Sequence, residues 1–203
     1  MYGRFGTVIG YPLTLPSMPP VRESTRVRTF RLPTELADKL DAHARTLKVS
    51  ANTVMVRALD RYVVWEIPAE KFGFLSMDRD SLQLLLKSAD SEKLAQAAAQ
   101  AGRKNARDIA LYWYGRYDAE TIARGFQEIF SYARFADCRV ESGSSGWTVT
   151  LRHSLGREWT IWLRHYLDAV LHETLGLRTA FEVSDRTLVF RIPIRTDARA
   201  PKA

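Results

Sequence analysis

The segment RTFRLPTEL, residues 28–36, constrains the fold more than any other part of the sequence. Alternating residues from position 26 to position 32 predict one short β-strand, and Leu-Pro-Thr-Glu then predicts the start of a helix. A lone strand leaves its backbone hydrogen-bonding groups unpaired, and no neighbouring segment offers a partner strand. The strand therefore has to pair with a later segment of the chain or with a second copy of it.

Two amphipathic helices are predicted after this strand. In PTELADKLDAHARTLK, steps of three and four residues place on one face Leu36, Leu40, Ala44 and Leu47. The next segment, VSANTVMVRALDRYVVWE, begins with Ser50 as a good N-cap, and its apolar face comprises Met55, Ala58, Leu59, Tyr62 and Val63. EIPAEK is then predicted to be a linker, because Pro68 interrupts a helix.

Side chains on a strand alternate between its two faces. One face, expected to meet solvent, carries Val27, Thr29 and Arg31. The other face, expected to lie on the two helices, is formed by Arg28, Phe30 and Leu32. A two-stranded ribbon fits the major groove of DNA, where Arg pairs bidentately with guanine and Thr bonds base edges or touches a thymine methyl. A ribbon of two such strands is therefore suited to reading bases.

The stretch TFRLPTELADKLDAHARTLKVSANTVMVRALDRYV, about 35 residues of the 203, resembles the ribbon-helix-helix family of transcriptional repressors. The resemblance implies that two chains pair their strands antiparallel above four interlocked helices, and that the ribbon enters the major groove. It also implies base contacts by Val27, Thr29 and Arg31, although Val27 is apolar where the family often has a polar residue. Phosphate binding is implied at the start of the second helix, at Ser50, Asn52 and Thr53. A helix N-terminus attracts anions in any case, through its free N–H groups and its dipole.

The charge of the chain supports a polyanionic partner. The formal net charge is +7, and four arginines fall within ten residues, opposed there only by Glu23. Beside the base-contacting Arg31, the other three are expected to contact phosphates: Arg22, Arg26 and Arg28. Affinity for DNA should then fall steeply as salt concentration rises.

The remaining sequence predicts a second, larger domain of the α+β class. Helices are predicted at about 79–88, 91–101, 104–116 and 119–135, after a strand at FGFLSM. DCRVES and WTVTLRH, joined by GSSG, predict a hairpin; a long helix from residue 157 and a second hairpin follow. This order predicts an antiparallel sheet packed on helices. The expected domains are an arm at 1–24, the ribbon-helix-helix at 25–66, the α+β domain at 70–195 and a disordered tail at 196–203.

A small-molecule pocket is one interpretation of the aromatic residues in this second domain. Apolar walls with a few polar groups are typical of such pockets, and cationic neighbours would suit an anionic ligand. The candidate lining residues are Trp147, Arg152, His153, Arg157, Trp159, Trp162 and Tyr166. The alternative is that these side chains build the core or an oligomer interface.

No metal, cofactor or catalytic site is expected. The candidate ligands are spaced by 15, 12 and 7 residues, which matches no metal-binding pattern, and they are Cys138, His153, His165 and His172. No nucleophile motif or phosphate-binding loop is present, since a hairpin turn explains GSSG. We therefore do not expect an enzyme.

Together these patterns predict a transcriptional regulator, most simply a repressor, that binds double-stranded DNA as a homodimer or tetramer. The C-terminal domain would sense a small-molecule effector or assemble subunits. Two alternatives stay open: an antitoxin whose C-terminal part binds a toxin, and an interaction or scaffold protein that dimerises through the strand without binding DNA. A single cysteine and the lack of a long apolar run predict a cytoplasmic protein without membrane contact.

Overall fold

The computed structural model of the chain describes residues 25–194. The predicted N-terminal arm with Arg22 and the predicted C-terminal tail lie outside the described residues. The chain divides into two compact units, the first ending at Ala51 and the second beginning at Asn52. The sequence places its domain boundary later, after Glu66.

The first unit contains one helix, α1, at Thr34–Leu47. Pro33 occupies its N-cap position, so the helix begins one residue after the proline. Lys48 adopts a left-handed conformation at the C-terminus, where its N–H reaches the carbonyls of Ala44 and Arg45. Residues 25–33 form neither helix nor strand within a single chain. No described segment of the chain pairs with them, so the predicted strand and its pairing with a second copy stay predictions.

Helix α2, Ala51–Arg61, continues without interruption into a π-helical turn, Tyr62–Glu66, and a short helix α3, Ile67–Lys71. EIPAEK, predicted as a linker, is therefore helical, and that prediction was wrong. Pro68 lies in the first turn of α3, where it lacks the N–H that an α-helix would direct to the carbonyl of Val64. Pro68 and Ala69 are buried, which a linker residue would not be.

Three helices follow, each with an aspartate at its N-cap: α4 (Arg79–Ser88), α5 (Ser91–Tyr114) and α6 (Ala119–Ala133). The strand predicted at FGFLSM is absent; the segment is a turn and irregular chain. Its aromatic rings pack against Trp113 of α5 instead of against a neighbouring strand, with centroid distances of 5.4 Å for Phe72 and 6.4 Å for Phe74.

Helix α5 replaces the two helices predicted at 91–101 and 104–116. Gly102 does not break it, because tertiary contact with the later helix α7, Arg157–Leu175, requires a residue without a side chain there. A Cβ on Gly102 would lie 2.5 Å from the carbonyl oxygen of Tyr166 and 2.9 Å from the Cβ of Ala169. Close packing therefore outweighs the low helix propensity of glycine.

The last third forms the predicted antiparallel sheet, which confirms the α+β class of this part. Its strands are β1 (Asp137–Gly143), β2 (Gly146–Arg152), β3 (Phe181–Val183) and β4 (Thr187–Pro193), in the spatial order β1-β2-β4-β3. GSSG turns between β1 and β2 as predicted, with Gly143 opposite Gly146. Helix α7 connects β2 to β3.

One face of the sheet carries the hydrophobic core of the second unit. Its fully buried side chains come from the inward positions of the two central strands, Val149, Leu151, Leu188, Phe190 and Ile192. Phe126 of α6 meets the ring of Phe190 edge-on at 5.8 Å, and Leu163 and Leu167 of α7 are equally buried. In residues 25–194, no helix combines the length and apolarity that a membrane-spanning segment requires.

Candidate functional sites

The base-contacting candidates lie on an exposed segment. Val27, Thr29 and Arg31 are all exposed, and Val27 retains 90% of its accessible surface. Phe30, expected on the inner face, is also 58% exposed in a single chain. An apolar side chain of this size normally finds cover, so the segment has room for a partner on its apolar face.

The phosphate-contacting candidates within the described residues lie at two places. Arg26 and Arg28 are exposed, and among residues 25–194 neither forms an ion pair. Ser50 immediately precedes α2, and Asn52 and Thr53 belong to its first turn, which contains no acidic residue. Backbone N–H groups and the helix dipole at such a turn favour an anion.

The positive charge concentrates in this region. Residues 25–61 contain eight lysines and arginines against four acidic residues, whereas residues 62–194 contain seventeen of each. Residues 25–61 therefore carry the positive charge that can attract a polyanion, and residues 62–194 are electrically balanced.

About half of the exposed large apolar side chains lie in this region and the six residues that follow it. Nine of the seventeen large apolar side chains that are exposed in residues 25–194 lie between Val27 and Ile67. Four of them follow each other at steps of three and four along α2, the π-helical turn and α3: Val56, Leu59, Val63 and Ile67. This spacing places them on one helical face, which we call the α2 stripe.

The pocket predicted from the aromatic residues of the second domain is mostly packed interior. Trp159, Trp162 and Tyr166 stack along α7, with centroid separations of 4.9 and 4.7 Å. Trp159 is buried and donates its indole N–H to the carbonyl of Phe135 at 3.2 Å. Trp147 packs against the core from β2. These contacts are those of structural aromatic residues.

The three polar candidates of this predicted pocket differ in how far they are buried. Arg152 ends β2 and Arg157 begins α7, and both are exposed. His153 is half-buried; its Nε2 lies 2.9 Å from the Thr160 hydroxyl, which itself donates to the carbonyl of Asp185. Nε2 must therefore carry the proton, and Nδ1 is a buried acceptor without a partner among residues 25–194. Burial, and then the charge of Arg186, lower the pKa of His153 to about 4.

A cleft that the sequence did not indicate lies between α5, α6 and α7. It has a volume of about 60 Å³ and apolar walls that include Ala110, Phe126, Phe130 and Val170. Of the seven residues predicted to line a pocket, only Tyr166 contributes to it. The cleft adjoins a second, more polar one of about 200 Å³, and the residue that lines both is Tyr114.

Tyr114 is the last residue of α5, and its ring lies over Gly125 of α6. A Cβ on Gly125 would be 2.8 Å from Cε2 of this ring, so the contact requires glycine. The Tyr114 hydroxyl is buried, and the Glu128 carboxylate faces it as a hydrogen-bond acceptor, although no acceptor among the described residues meets strict hydrogen-bond geometry. Burial and the nearby Glu128 carboxylate raise its pKa, so it stays a neutral donor.

The polar cleft is lined by charged groups of both signs. Arg116 is engaged already: its Nε lies 3.1 Å from the Asp118 carboxylate and donates to the Thr121 hydroxyl at 2.9 Å. Arg124 and Glu128, one turn apart on α6, form no ion pair in the described part of the chain. The one signal in the sequence was this pair at i and i+4, which usually marks only a solvated helix face.

Metal-binding geometry is absent from the described residues, where no three His, Cys, Asp or Glu side chains cluster. Cys138 lies on β1 and is largely buried. Burial, and then the charge of Asp137, raise the pKa of its thiol to about 12. This thiol is therefore protonated at neutral pH.

No family model matches the chain, and the searches of curated proteins and of solved structures found no match either.

Proposed function

We propose that this protein is a DNA-binding transcriptional regulator that acts as a homodimer, with residues 25–33 of two chains paired as a ribbon in the major groove. The observation that carries the proposal is the coincidence of positive charge and uncovered apolar surface in residues 25–67. Cationic excess suits the phosphate backbone, and uncovered apolar faces suit a second copy of the same chain.

Such a ribbon needs polar side chains on one face and apolar side chains on the other, and the alternating segment has both. Thr29 and Arg31 share one side of an extended chain, and Phe30 occupies the other. Pairing two copies would satisfy their backbone groups and cover Phe30, while leaving Arg31 to pair with guanine. The first turn of α2, free of acidic residues, would hold a phosphate.

The folded second unit favours a sensing or assembly role over the antitoxin alternative. Segments that bind toxins commonly order only on binding, whereas residues 137–193 form a four-stranded sheet covered by helices with a buried core. Within the second unit, α6 contacts α2: Tyr132 of α6 donates its hydroxyl to Asp60 at 2.6 Å. A displacement of α6 would thus affect α2.

The test is a titration of labelled DNA from the region upstream of the protein's own gene, read by fluorescence anisotropy at several salt concentrations. Arg31→Ala and Thr29→Ala should each weaken binding by about 1–3 kcal/mol, because a base contact is lost. Arg26→Ala should weaken binding to any sequence and reduce the salt slope by about one phosphate.

Arg139→Ala is the matched control, because it removes an exposed arginine that pairs with Glu141 at 2.9 Å on β1, a strand that is not among the segments proposed to contact DNA. Equal binding by the parent, Arg31→Ala and Thr29→Ala would contradict groove reading. Dimerisation without any DNA binding would favour the scaffold alternative.

A further inference from the structure

Strand β1 forms one edge of the sheet, and its outer side is unpaired in the described part of the chain. The spatial order β1-β2-β4-β3 leaves two edge strands. The edge at β3 is three residues long, whereas the edge at β1 is seven residues long. In residues 25–194, the backbone of β1 forms hydrogen bonds only with β2. A long edge strand presents a row of free N–H and C=O groups to which another strand can add.

The core beside β1 is incompletely covered. Val140 packs against the core from β1 and lies opposite Val149 of β2. Val149 is fully buried, whereas Val140 is only half-buried, because β1 is the last strand of the sheet. A further strand next to β1 would remove this apolar side chain from water.

The charges of β1 alternate in sign along its other face, which carries Asp137, Arg139 and Glu141. The side chains of Arg139 and Glu141 are 79% and 56% exposed and lie 2.9 Å apart. Charged side chains protect many edge strands from pairing with a copy of themselves, because like charges then face each other. On β1, the register decides whether like or opposite charges meet.

Only one register of β1 against a second β1 brings opposite charges together over the whole strand. Two copies that pair antiparallel about a two-fold axis place one residue opposite itself and its neighbours opposite each other. With Val140 at the axis, all seven residues are paired, and each Arg139 faces Glu141 of the second copy. With Arg139 or Glu141 at the axis, like charges face each other directly, which is unfavourable. Strand β1 is therefore complementary to a second copy of itself.

We infer that the edge of β1 is a self-association surface, at which two copies of this chain pair antiparallel about a two-fold axis at Val140 and join their sheets. Main-chain hydrogen bonds hold the two strands together. The two pairs of Arg139 with Glu141 fix the register, and the Val140 side chains cover each other.

This contact is separate from the ribbon of the proposed function, and it does not depend on DNA binding. One edge of seven residues is a smaller contact than the ~1,200 Å² that stable interfaces bury, so it forms only at high protein concentration. In the dilute solutions of a DNA titration the edge is free, and Arg139→Ala therefore remains a control there.

Sedimentation velocity of the full-length protein without DNA measures the contact, over a series from about 10 μM to about 1 mM. The mass should double as concentration rises, from dimer to tetramer if the ribbon forms and from monomer to dimer if it does not. The mass at low concentration thus reports on the ribbon, and its doubling reports on the β1 edge.

Two charge variants test the register. In Arg139→Glu and in Glu141→Arg, like charges face each other at both positions, so each variant should self-associate about tenfold more weakly than the parent. A mixture of the two variants should associate about as well as the parent, because each chain then presents the charge that the other lacks. Damage to the fold could not be rescued by mixing. Arg164→Glu, at an exposed position of α7, is the matched control and should behave as the parent.

A cysteine at the proposed axis gives an independent test, which decides if a charge variant does not fold. Combined with Cys138→Ser, Val140→Cys should form a disulfide-linked dimer under mild oxidation, because the two residues 140 face each other across about 5 Å. Ser142→Cys combined with Cys138→Ser should not, because the two residues 142 lie about 13 Å apart along the strands.

Four results would overturn the inference. They are no doubling of the parent's mass up to about 1 mM, undiminished self-association of both folded charge variants, no recovery on mixing them, and equal cross-linking at positions 140 and 142. Doubling without any DNA binding supports the β1 contact and contradicts only the proposed function.

Discussion

The indole Nε1 of Trp113 donates a hydrogen bond to the main-chain carbonyl of Val64 at 3.0 Å, across 49 residues of sequence. An α-helix would offer this carbonyl the N–H of residue 68, and Pro68 has none. The turn widens here to a π-helix, in which the N–H of Ile67 reaches the carbonyl of Tyr62. A side chain from α5 thus replaces a missing backbone donor and allows the helix to pass through a proline.

This replacement predicts a specific coupling between Trp113 and Pro68. Trp113→Phe keeps an aromatic ring but removes the donor, so it should lower the free energy of unfolding by about 1–3 kcal/mol. A Pro68→Ala variant regains the backbone N–H, so in that variant Trp113→Phe should lower the free energy of unfolding by clearly less. Urea unfolding of the four proteins of this cycle measures the difference, and an equal cost in both backgrounds would rule out the replacement.

Gly102→Ala should destabilise the protein although it raises helix propensity. Propensity alone predicts a gain of up to about 1 kcal/mol, whereas a Cβ 2.5 Å from the Tyr166 carbonyl oxygen forces α5 away from α7. We expect a net loss of about 1–3 kcal/mol, typical of overpacking. Gln100→Ala, at an exposed position two residues earlier, is the control and should be nearly neutral. Stabilisation by Gly102→Ala would contradict the close helix contact.

His153 should make the stability of the fold depend on pH in the acidic range. Its folded-state pKa of about 4 lies below the ordinary value of 6.5, so the fold favours the neutral ring. The resulting stability is fully present above pH 6.5 and is lost progressively as the pH falls from 6.5 to 4, because the unfolded chain takes up a proton first. Melting temperatures across this range, together with an NMR titration of the imidazole, measure the effect. If His153→Gln shows an unchanged acid dependence, other groups cause it.

Cys138 should react slowly in the native state. Burial and a pKa of about 12 leave almost no thiolate at pH 8, and the thiolate is the reactive form. A disulfide reagent with a chromophoric leaving group should label the folded protein far more slowly than the protein in concentrated urea. Comparable rates in both conditions would show that β1 opens readily.

Val63→Lys should dissociate the proposed dimer without unfolding the chain. Val63 is 59% exposed on the α2 stripe, so a lysine there meets solvent in a monomer but would be buried between two copies. Light scattering should change from twice the chain mass of 23.2 kDa to that mass, and DNA affinity should fall in parallel. Leu84→Lys, at a 70% exposed position on α4, is the control and should remain dimeric. A dimer that persists in Val63→Lys would mean that another surface mediates association.

Local patterns predicted the elements that depend on neighbouring residues. The α1 helix, the GSSG hairpin and the long helix α7 follow from apolar spacing, helix caps and turn residues, all of which act within a few positions. The antiparallel sheet followed from the order of these elements. Residues 25–31 are all exposed and form no strand within one chain, so the alternation of Thr29 and Arg31 with Phe30 stays a prediction.

Tertiary contacts decided the rest, because they join residues that the sequence keeps far apart. Pro68 predicts a helix end, but the helix continues because Trp113 supplies a hydrogen-bond donor. Gly102 predicts a helix break, but α5 continues because α7 packs closely against this residue. The aromatic residues predicted to line a pocket stack against each other along α7 instead. The clefts at Tyr114 form where the end of α5 meets Gly125 of α6. Local sequence patterns determined most of the helices and the strands of the two hairpins, but not the structure of FGFLSM or EIPAEK; side-chain packing determined where the helices continue and where clefts remain.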